Sequence, residues 1–225
     1  MIDIEVVDNF FPPSYFQRMQ DIILGDGMEW NFRKDITLQS DAQNSLFDYG
    51  FNVHLFSDYE GERSFNEKTL THFMGPAVFM MQDFTGEEQT YRARLDMTVY
   101  SGEELHMHPP HVDLPTRNTT AILYLNEADG PTVIFNERAI NVDDMDRRER
   151  SINSDFLKLK YGEYDYDKLT VKKKIDPKPN RVLFFAGDHV HTGHSPTTVK
   201  NRVLLNCNFG PKEVLQLSSS MPGHM

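Results

Sequence analysis

The feature that most constrains the fold is a series of short strand candidates in the second half of the chain. They cover residues 91–100, 119–126, 132–135, 181–186 and 202–209, and the turn Ala128-Asp129-Gly130-Pro131 separates the second from the third. Few helical patterns lie between them. Short strands with turn signals and few intervening helices are typical of an all-β barrel or jelly roll. The sequence therefore predicts a mainly β core over residues 90–210.

Two helices are expected in the first 89 residues. The pair Pro12-Pro13 suits a helix start, and apolar side chains then follow at helical spacing as far as Ile23. A second helix is expected from Ser64, because Ser64-Phe-Asn-Glu matches a capping box, and Pro76 should kink this helix or end it early. Its core-facing side chains are expected to be Leu70, Phe73, Met74, Ala77, Val78 and Met81.

Length and composition fit one domain. No Pro/Gly/Ser-rich linker divides the 225 residues, so we expect a single domain, residues 1–225, in which residues 1–89 support the β core. The only cysteine, Cys207, excludes an intrachain disulfide and favours a reducing compartment. The N-terminus lacks the pattern of a signal peptide, and no apolar run is long enough to cross a bilayer, so cytoplasmic localisation and no membrane partner are expected.

A net charge of −11 argues against a nucleic-acid partner, which would require a cationic surface. The same acidic balance favours a cationic or neutral substrate. Residues 136–180 form a long, charged insertion within the core. Connections of this length are usually functional or disordered. Two interpretations stay open: a lid over a site at the mouth of the barrel, or a solvated decoration with a short helix and a hairpin.

The pair His111 and Asp113 is the most informative chemical signal. In an extended strand alternate side chains point to the same face, so this imidazole and carboxylate would lie side by side. A second histidine would complete a 2-His-1-carboxylate site, which leaves positions open on a metal ion. Candidates lie in a histidine-rich stretch that follows an apolar strand: His189, His191 and His194.

Further patterns agree with one known family when taken in order. They are Tyr100 and Gly102 ahead of the His-x-Asp pair, Arg117-x-x-Thr120 followed by Tyr124-Leu125-Asn126, Gly130-Pro131-Thr132, Asn180-Arg-Val-Leu-Phe-Phe185, and His191 to Pro196 followed by Arg202. As a set, they resemble the motifs of the iron(II)/2-oxoglutarate-dependent dioxygenases, in particular the prolyl-4-hydroxylase-like group. The resemblance implies a double-stranded β-helix (jelly-roll) core flanked by the N-terminal helices.

The resemblance also implies a set of site residues. His111, Asp113 and His191 would be the ligands of Fe(II), and Arg202 would pair with the distal carboxylate of the cosubstrate 2-oxoglutarate. Tyr100 and Thr132 would be further hydrogen-bond partners of that cosubstrate. The implied activity is the hydroxylation by O2 of an unactivated C–H in a peptidyl (prolyl-like) or small-molecule substrate, with release of succinate and CO2. The sequence identifies neither the substrate nor the oligomeric state.

An alternative is a cupin-like metal-binding barrel, acting as an isomerase or a binding module. In that interpretation the stretch after Gly102 supplies His106, His108 and Asp113 as ligands, and Arg202 has no role. If the dioxygenase interpretation holds, His106 and His108 are expected to lie on a solvated loop before a proline pair.

Overall fold

The computed structural model describes residues 2–34, 36, 48–59, 62–65, 68–114, 116–138 and 168–212. Within these ranges the elements are β1 (Ile4–Val7), α1 (Pro13–Ile23), β2 (Asn31–Arg33), β3 (Gly50–Tyr59), β4 (Glu62–Phe65), α2 (Lys68–Thr85), β5 (Gln89–Val99), β6 (Thr119–Tyr124), β7 (Thr132–Arg138), β8 (Val171–Ile175), β9 (Arg181–Ala186), β10 (His189–Gly193) and β11 (Asn201–Gly210). The predicted mainly β fold with helices on the N-terminal side is confirmed.

The described strands form two antiparallel sheets. The large sheet has the order β1-β9-β6-β11-β5-β3-β2, with β4 paired to β3, and the small sheet has the order β10-β7-β8. Strands that are distant in sequence are neighbours in space, since β11 lies between β6 and β5. Two facing antiparallel sheets with such crossovers fit a jelly roll.

The large sheet has two chemically different faces. On the outer face, apolar side chains such as Leu95 and Leu205 pack with the buried faces of α1 and α2 in one core. On the inner face, Tyr124, Leu183 and Phe185 form a second core with residues of the small sheet. The predicted core face of α2 is confirmed, because its side chains are buried or packed against the first core: Leu70, Phe73, Met74, Ala77, Val78 and Met81.

The predicted start of α2 is wrong. Residues 62–65 form β4, whose backbone pairs with β3, and α2 begins at Lys68. The capping-box pattern at Ser64 is a local signal. The pairing of residues 62–65 with β3 is a tertiary contact, which a four-residue pattern cannot reveal.

Pro76 also does not end α2, which continues to Thr85. Proline removes one intrahelical hydrogen bond and its ring disturbs the preceding turn. The hydroxyl of Tyr15 on α1 occupies the opened turn: it donates to the carbonyl of Phe73 at 2.9 Å and accepts the N–H of Ala77 at 3.2 Å. Tyr15 therefore links α1 to α2 and supplies hydrogen bonds at the disturbed turn.

We expect Tyr15→Phe to lower the free energy of unfolding by about 1–3 kcal/mol, because the Phe73 carbonyl and the Ala77 N–H both lose a partner in a partly buried place. Urea denaturation measures this change. Tyr100→Phe is a suitable control, since the Tyr100 side chain is exposed. Equal midpoints for the Tyr15 variant and the control would contradict the bridging role.

The charged insertion is described only at its two ends. Its first residues extend β7 to Arg138, and its last part contains β8. The two interpretations of the insertion, a lid or a solvated decoration, concern mainly residues 139–167, which lie outside the described residues. Neither described helix is long and apolar enough to cross a membrane.

Candidate active site

The His-x-Asp stretch is held beside β10 by its backbone. The N–H of His111 donates to the carbonyl of His191 at 2.9 Å, and the N–H of His191 donates back to the carbonyl of His111 at 2.9 Å. This two-way bridge places the two imidazole rings next to each other, with centroids 4.7 Å apart. Residues 80 positions apart in the chain therefore meet at the edge of the small sheet.

His111, Asp113 and His191 together form a group that could hold a metal ion. Their ligand atoms all lie within 4.8 Å of one another. A carboxylate oxygen of Asp113 lies 3.8 Å from Nε2 of His111, and the other lies 3.9 Å from Nε2 of His191. The Nδ1 atom of each imidazole donates to a backbone carbonyl, at 2.9 Å and 3.0 Å, which leaves Nε2 of each ring free to bind a metal.

The protonation states suit metal binding. Burial, together with the neighbouring His191, lowers the pKa of His111 to about 4, and burial also lowers the pKa of His191. Burial alone would raise the pKa of Asp113, but the Arg92 guanidinium and the two imidazoles hold it well below its usual range. At neutral pH the group therefore consists of two neutral imidazoles and one carboxylate, the forms that bind a metal.

Three side chains that the sequence did not single out hold Asp113. Nη2 of Arg92 lies 2.9 Å from Oδ1 of Asp113, and the amides of Asn206 and Asn208 donate to Oδ2 at 3.2 Å and 3.1 Å. A sequence signal for them exists. In β11, Asn206 and Asn208 are polar residues at alternate positions of an otherwise buried strand. In β5, charged residues alternate with apolar ones from Arg92 to Asp96.

Arg202 and Thr132, which the sequence predicts as partners of the cosubstrate, lie together at the inner face. Arg202 is only 4% exposed, and its Nη2 donates to Oγ1 of Thr132 at 2.6 Å. Tyr124 joins them: its hydroxyl donates to the same oxygen at 2.7 Å, and its ring lies 5.5 Å from the guanidinium carbon. A Cβ at Gly193 would come within 3.3 Å of Nη1 of Arg202, so glycine leaves room for the guanidinium.

Nε of Arg202 is buried without a hydrogen-bond partner, and no ion pair of Arg202 with a carboxylate is found among the residues that the structure describes. A guanidinium in a buried place requires an anion, because burying an unpaired charge is costly. The cluster of Arg202, Thr132 and Tyr124 therefore fits the carboxylate of a small ligand.

Tyr100 is not brought to this cluster. Its side chain is 46% exposed, and its backbone N–H donates to the carbonyl of Lys200 at 2.9 Å just beyond the paired ends of β5 and β11. The tyrosine that contacts Thr132 is Tyr124, which belongs to a quoted motif but was not predicted as a site residue.

The structure also separates the three candidate histidines. The pairing of β10 with β7 is irregular between His189 and His191, because two steps along β10 face four steps along β7. The ring of His189 is directed to the Phe135 carbonyl and to Asp3, and Nδ1 of His194 faces the Pro131 carbonyl at 3.2 Å. Only His191 of the three lies with His111 and Asp113.

The expectation of a solvated loop is wrong for His108. This residue is 2% exposed, and its two ring nitrogens lie 2.9 Å from Asp48 and 3.0 Å from Ser195. The proline pair that follows is buried as well. Because both nitrogens of His108 already have partners, the cupin-like ligand set of His106, His108 and Asp113 is not favoured.

Comparisons with known proteins agree with this geometry. No family model and no curated protein matches the sequence. The structure resembles an oxidoreductase of the 2OG-Fe(II) oxygenase family from Burkholderia pseudomallei, at 12% identity and a TM-score of 0.57, over 92% of this chain and 85% of that one. The chain has the 2OG-Fe(II) oxygenase fold.

Two other solved structures with this fold contain ligands. The Trichoplax adhaerens prolyl hydroxylase, in complex with a hypoxia inducible factor peptide fragment, matches at 13% identity and a TM-score of 0.56, over 98% of this chain and 89% of that one. HygX from Streptomyces hygroscopicus, with nickel, 2-oxoglutarate and hygromycin B bound, matches at 10% identity and a TM-score of 0.50, over 94% and 84% of the two chains.

Proposed function

We propose that this protein is an iron(II)- and 2-oxoglutarate-dependent dioxygenase that hydroxylates an unactivated C–H of its substrate. One observation carries the proposal: a His-Asp-His group that could hold a metal ion and a buried arginine without a carboxylate partner lie on the same inner surface. The two-histidine, one-carboxylate set is typical of non-haem iron oxygenases. A metal-binding barrel without a cosubstrate would have no need of Arg202.

The spacing within β11 suits the five-carbon cosubstrate. Arg202 and Asn206 lie on the same face of β11, four positions apart, and Asn206 contacts Asp113. At about 3.3 Å per residue the separation is roughly 13 Å. A long arginine side chain together with 2-oxoglutarate can span that distance, with one end of the dicarboxylate at the guanidinium and the other at the metal.

Each residue of the site then has a task. His111, Asp113 and His191 hold iron(II) from one side and leave positions open on the other. Arg202, Thr132 and Tyr124 orient the distal carboxylate of 2-oxoglutarate. When bound, the iron and the cosubstrate supply the oxidation, in which dioxygen hydroxylates the substrate while 2-oxoglutarate is converted to succinate and CO2. The surrounding apolar core of Ile122, Leu183 and Leu204 excludes water.

We propose that residues 1–225 form one domain that acts in the cytoplasm, without a nucleic-acid or membrane partner. The substrate class spans peptides and small molecules, since proteins of this fold are found with a peptide fragment and with hygromycin B.

Anaerobic titration tests the proposal. Apo-protein that receives iron(II) and then 2-oxoglutarate should develop a visible charge-transfer band, which requires the metal and the bidentate keto acid in one site. Iron(II) with succinate is the matched control, because succinate offers the same distal carboxylate without the keto group. A protein that binds iron but develops no band with 2-oxoglutarate would rule out the proposed cosubstrate.

A further inference from the structure

The wall of the site next to the metal group carries an unusual row of charges. β5 presents Arg92, Arg94 and Asp96 at alternate positions on the inner face of the large sheet, directly opposite Asn208, Asn206 and Leu204 of β11. Asn206 and Asn208 contact Asp113, so this row lies beside the proposed metal ligand rather than at a distant edge. Arg92 holds Asp113, and neither Arg92 nor Arg94 has a role toward the substrate in the proposed function.

The two arginines differ in their partners. Nε of Arg94 lies 2.7 Å from Oδ1 of Asp96, so these two side chains neutralise each other. Arg92 donates from Nε to the Asn208 amide oxygen at 3.0 Å and pairs with Asp113 at 2.9 Å. Within the described ranges, Asp113 is the only carboxylate in an ion pair with Arg92. That carboxylate is also the one that a metal ion would use.

The charges of the site do not balance once both cofactors are bound. Among the described residues of this surface, three guanidinium groups, those of Arg92, Arg94 and Arg202, face two carboxylates, those of Asp96 and Asp113. Iron(II) and 2-oxoglutarate bring opposite charges of equal size, so one positive charge remains. The Arg92 and Arg94 side chains are only 17% and 22% exposed, so water solvates the remaining charge incompletely and an anion is favoured here.

An unpaired acceptor lies nearby as well. Oδ1 of Asn206 is buried and has no hydrogen-bond donor among the described residues. Asn206 stands directly opposite Arg94 in the register of β5 and β11. This oxygen adds to the polar character of the surface next to Arg92, where an anionic group of a substrate would bind.

We propose that Arg92 binds a carboxylate of the substrate, so that the C–H to be hydroxylated lies within a few bonds of a carboxylate. The inference rests on the proposed function and names the substrate class of the same site. A carboxylate fits better than a phosphate, because it carries the single negative charge that the site lacks. The negative net charge of the chain suggested a cationic or neutral substrate, but surface charges are screened over about 8–10 Å, whereas Arg92 acts at contact distance.

A matched library of small compounds tests the inference. The anaerobic complex of the wild-type protein with iron(II) and 2-oxoglutarate is titrated with N-acetyl amino acids and, separately, with the corresponding primary amides. Binding beside the metal is read as a shift of the charge-transfer band. We expect acids to bind and their amides not to bind. The amides of aspartate and glutamate keep a side-chain carboxylate, so their binding would identify a peptide side chain as the source of the anion.

Variants then assign the effect to Arg92. In complexes saturated with iron(II) and 2-oxoglutarate, Arg92→Gln should weaken binding of the best acid by about 10- to 100-fold, as expected for loss of a charge-assisted contact of about 1.5–3 kcal/mol. Arg92→Lys should recover part of the loss, because lysine restores the charge but not the two parallel hydrogen bonds that a guanidinium donates to a carboxylate. Arg138→Gln is the control, since it removes an arginine that pairs with Asp188 outside the site.

The outcomes are distinct. If amides bind as well as acids, if no acid shifts the band, or if Arg92→Gln binds acids as the wild type does, the inference is wrong while the proposed function stands. If Arg92→Gln does not fold, the Lys variant and the comparison of acids with amides on wild-type protein decide the question. If the wild-type protein never forms the band, the proposed function itself fails.

Discussion

His191→Ala should abolish iron(II) binding, whereas His189→Ala and His194→Ala should retain it. His191 is the only one of the three whose ring lies with the ring of His111 and the carboxylate of Asp113. Loss of a partner that only orients a ligand typically lowers metal affinity by about 10–100-fold, so loss of a ligand itself should exceed that range. The other two histidines make hydrogen bonds to Phe135 and Pro131, away from the metal group.

Metal content per folded protein measures the effect, after anaerobic loading and removal of free iron. Thermal unfolding of the three apo-variants is the necessary control, because His189 is completely buried and its removal should lower stability without changing the metal site. Iron retained by His191→Ala but lost from a folded His189→Ala or His194→Ala variant would overturn the ligand assignment.

Arg202→Ala should raise the concentration of 2-oxoglutarate needed for half-saturation by about 10- to 100-fold, while iron(II) still binds. The reason is the loss of a bidentate, charge-assisted contact worth about 1.5–3 kcal/mol. Arg202→Lys should restore only part of the affinity, since a point charge replaces a planar fork. The amplitude of the charge-transfer band against 2-oxoglutarate concentration gives the binding curve.

Two tyrosine variants refine this prediction. Tyr124→Phe removes the hydroxyl that contacts Thr132, and it should weaken 2-oxoglutarate binding by a few fold. Tyr100→Phe alters an exposed side chain and should leave the curve unchanged. Weaker binding in Tyr100→Phe with unchanged binding in Tyr124→Phe would show that Tyr100, and not Tyr124, contacts the cosubstrate. Unchanged 2-oxoglutarate binding in Arg202→Ala would show that Arg202 does not bind the cosubstrate.

Much of the site could be predicted because its signals are local. The His-x-Asp pair needs only the alternation of an extended chain, and Arg202 stands out as a charge at the head of an apolar strand. The strand series likewise predicted the β core, although β8 and β10 were missed. β10 contains the histidine-rich stretch, whose polar composition hides a strand that is buried by pairing with β7.

The parts that could not be predicted depend on contacts between distant segments. The choice of His191 rests on its backbone bridge to His111, which joins positions 80 residues apart in the chain. Arg92 and Asn208 lie 21 and 95 positions from Asp113, so no spacing rule connects them. The continuation of α2 through Pro76 depends on the Tyr15 hydroxyl, which comes from another helix.

The buried contact of His108 with Asp48 and Ser195 has a consequence for the protein without bound iron. His108 lies 60 positions from Asp48 and 87 positions from Ser195, so its two contacts join three distant segments. His108 is three residues before His111, the first proposed ligand, and none of the three residues in these contacts is a proposed metal ligand. The ligand stretch is therefore built by the polypeptide itself. We therefore expect the protein without iron to fold, with the ligand stretch already in place to receive the metal.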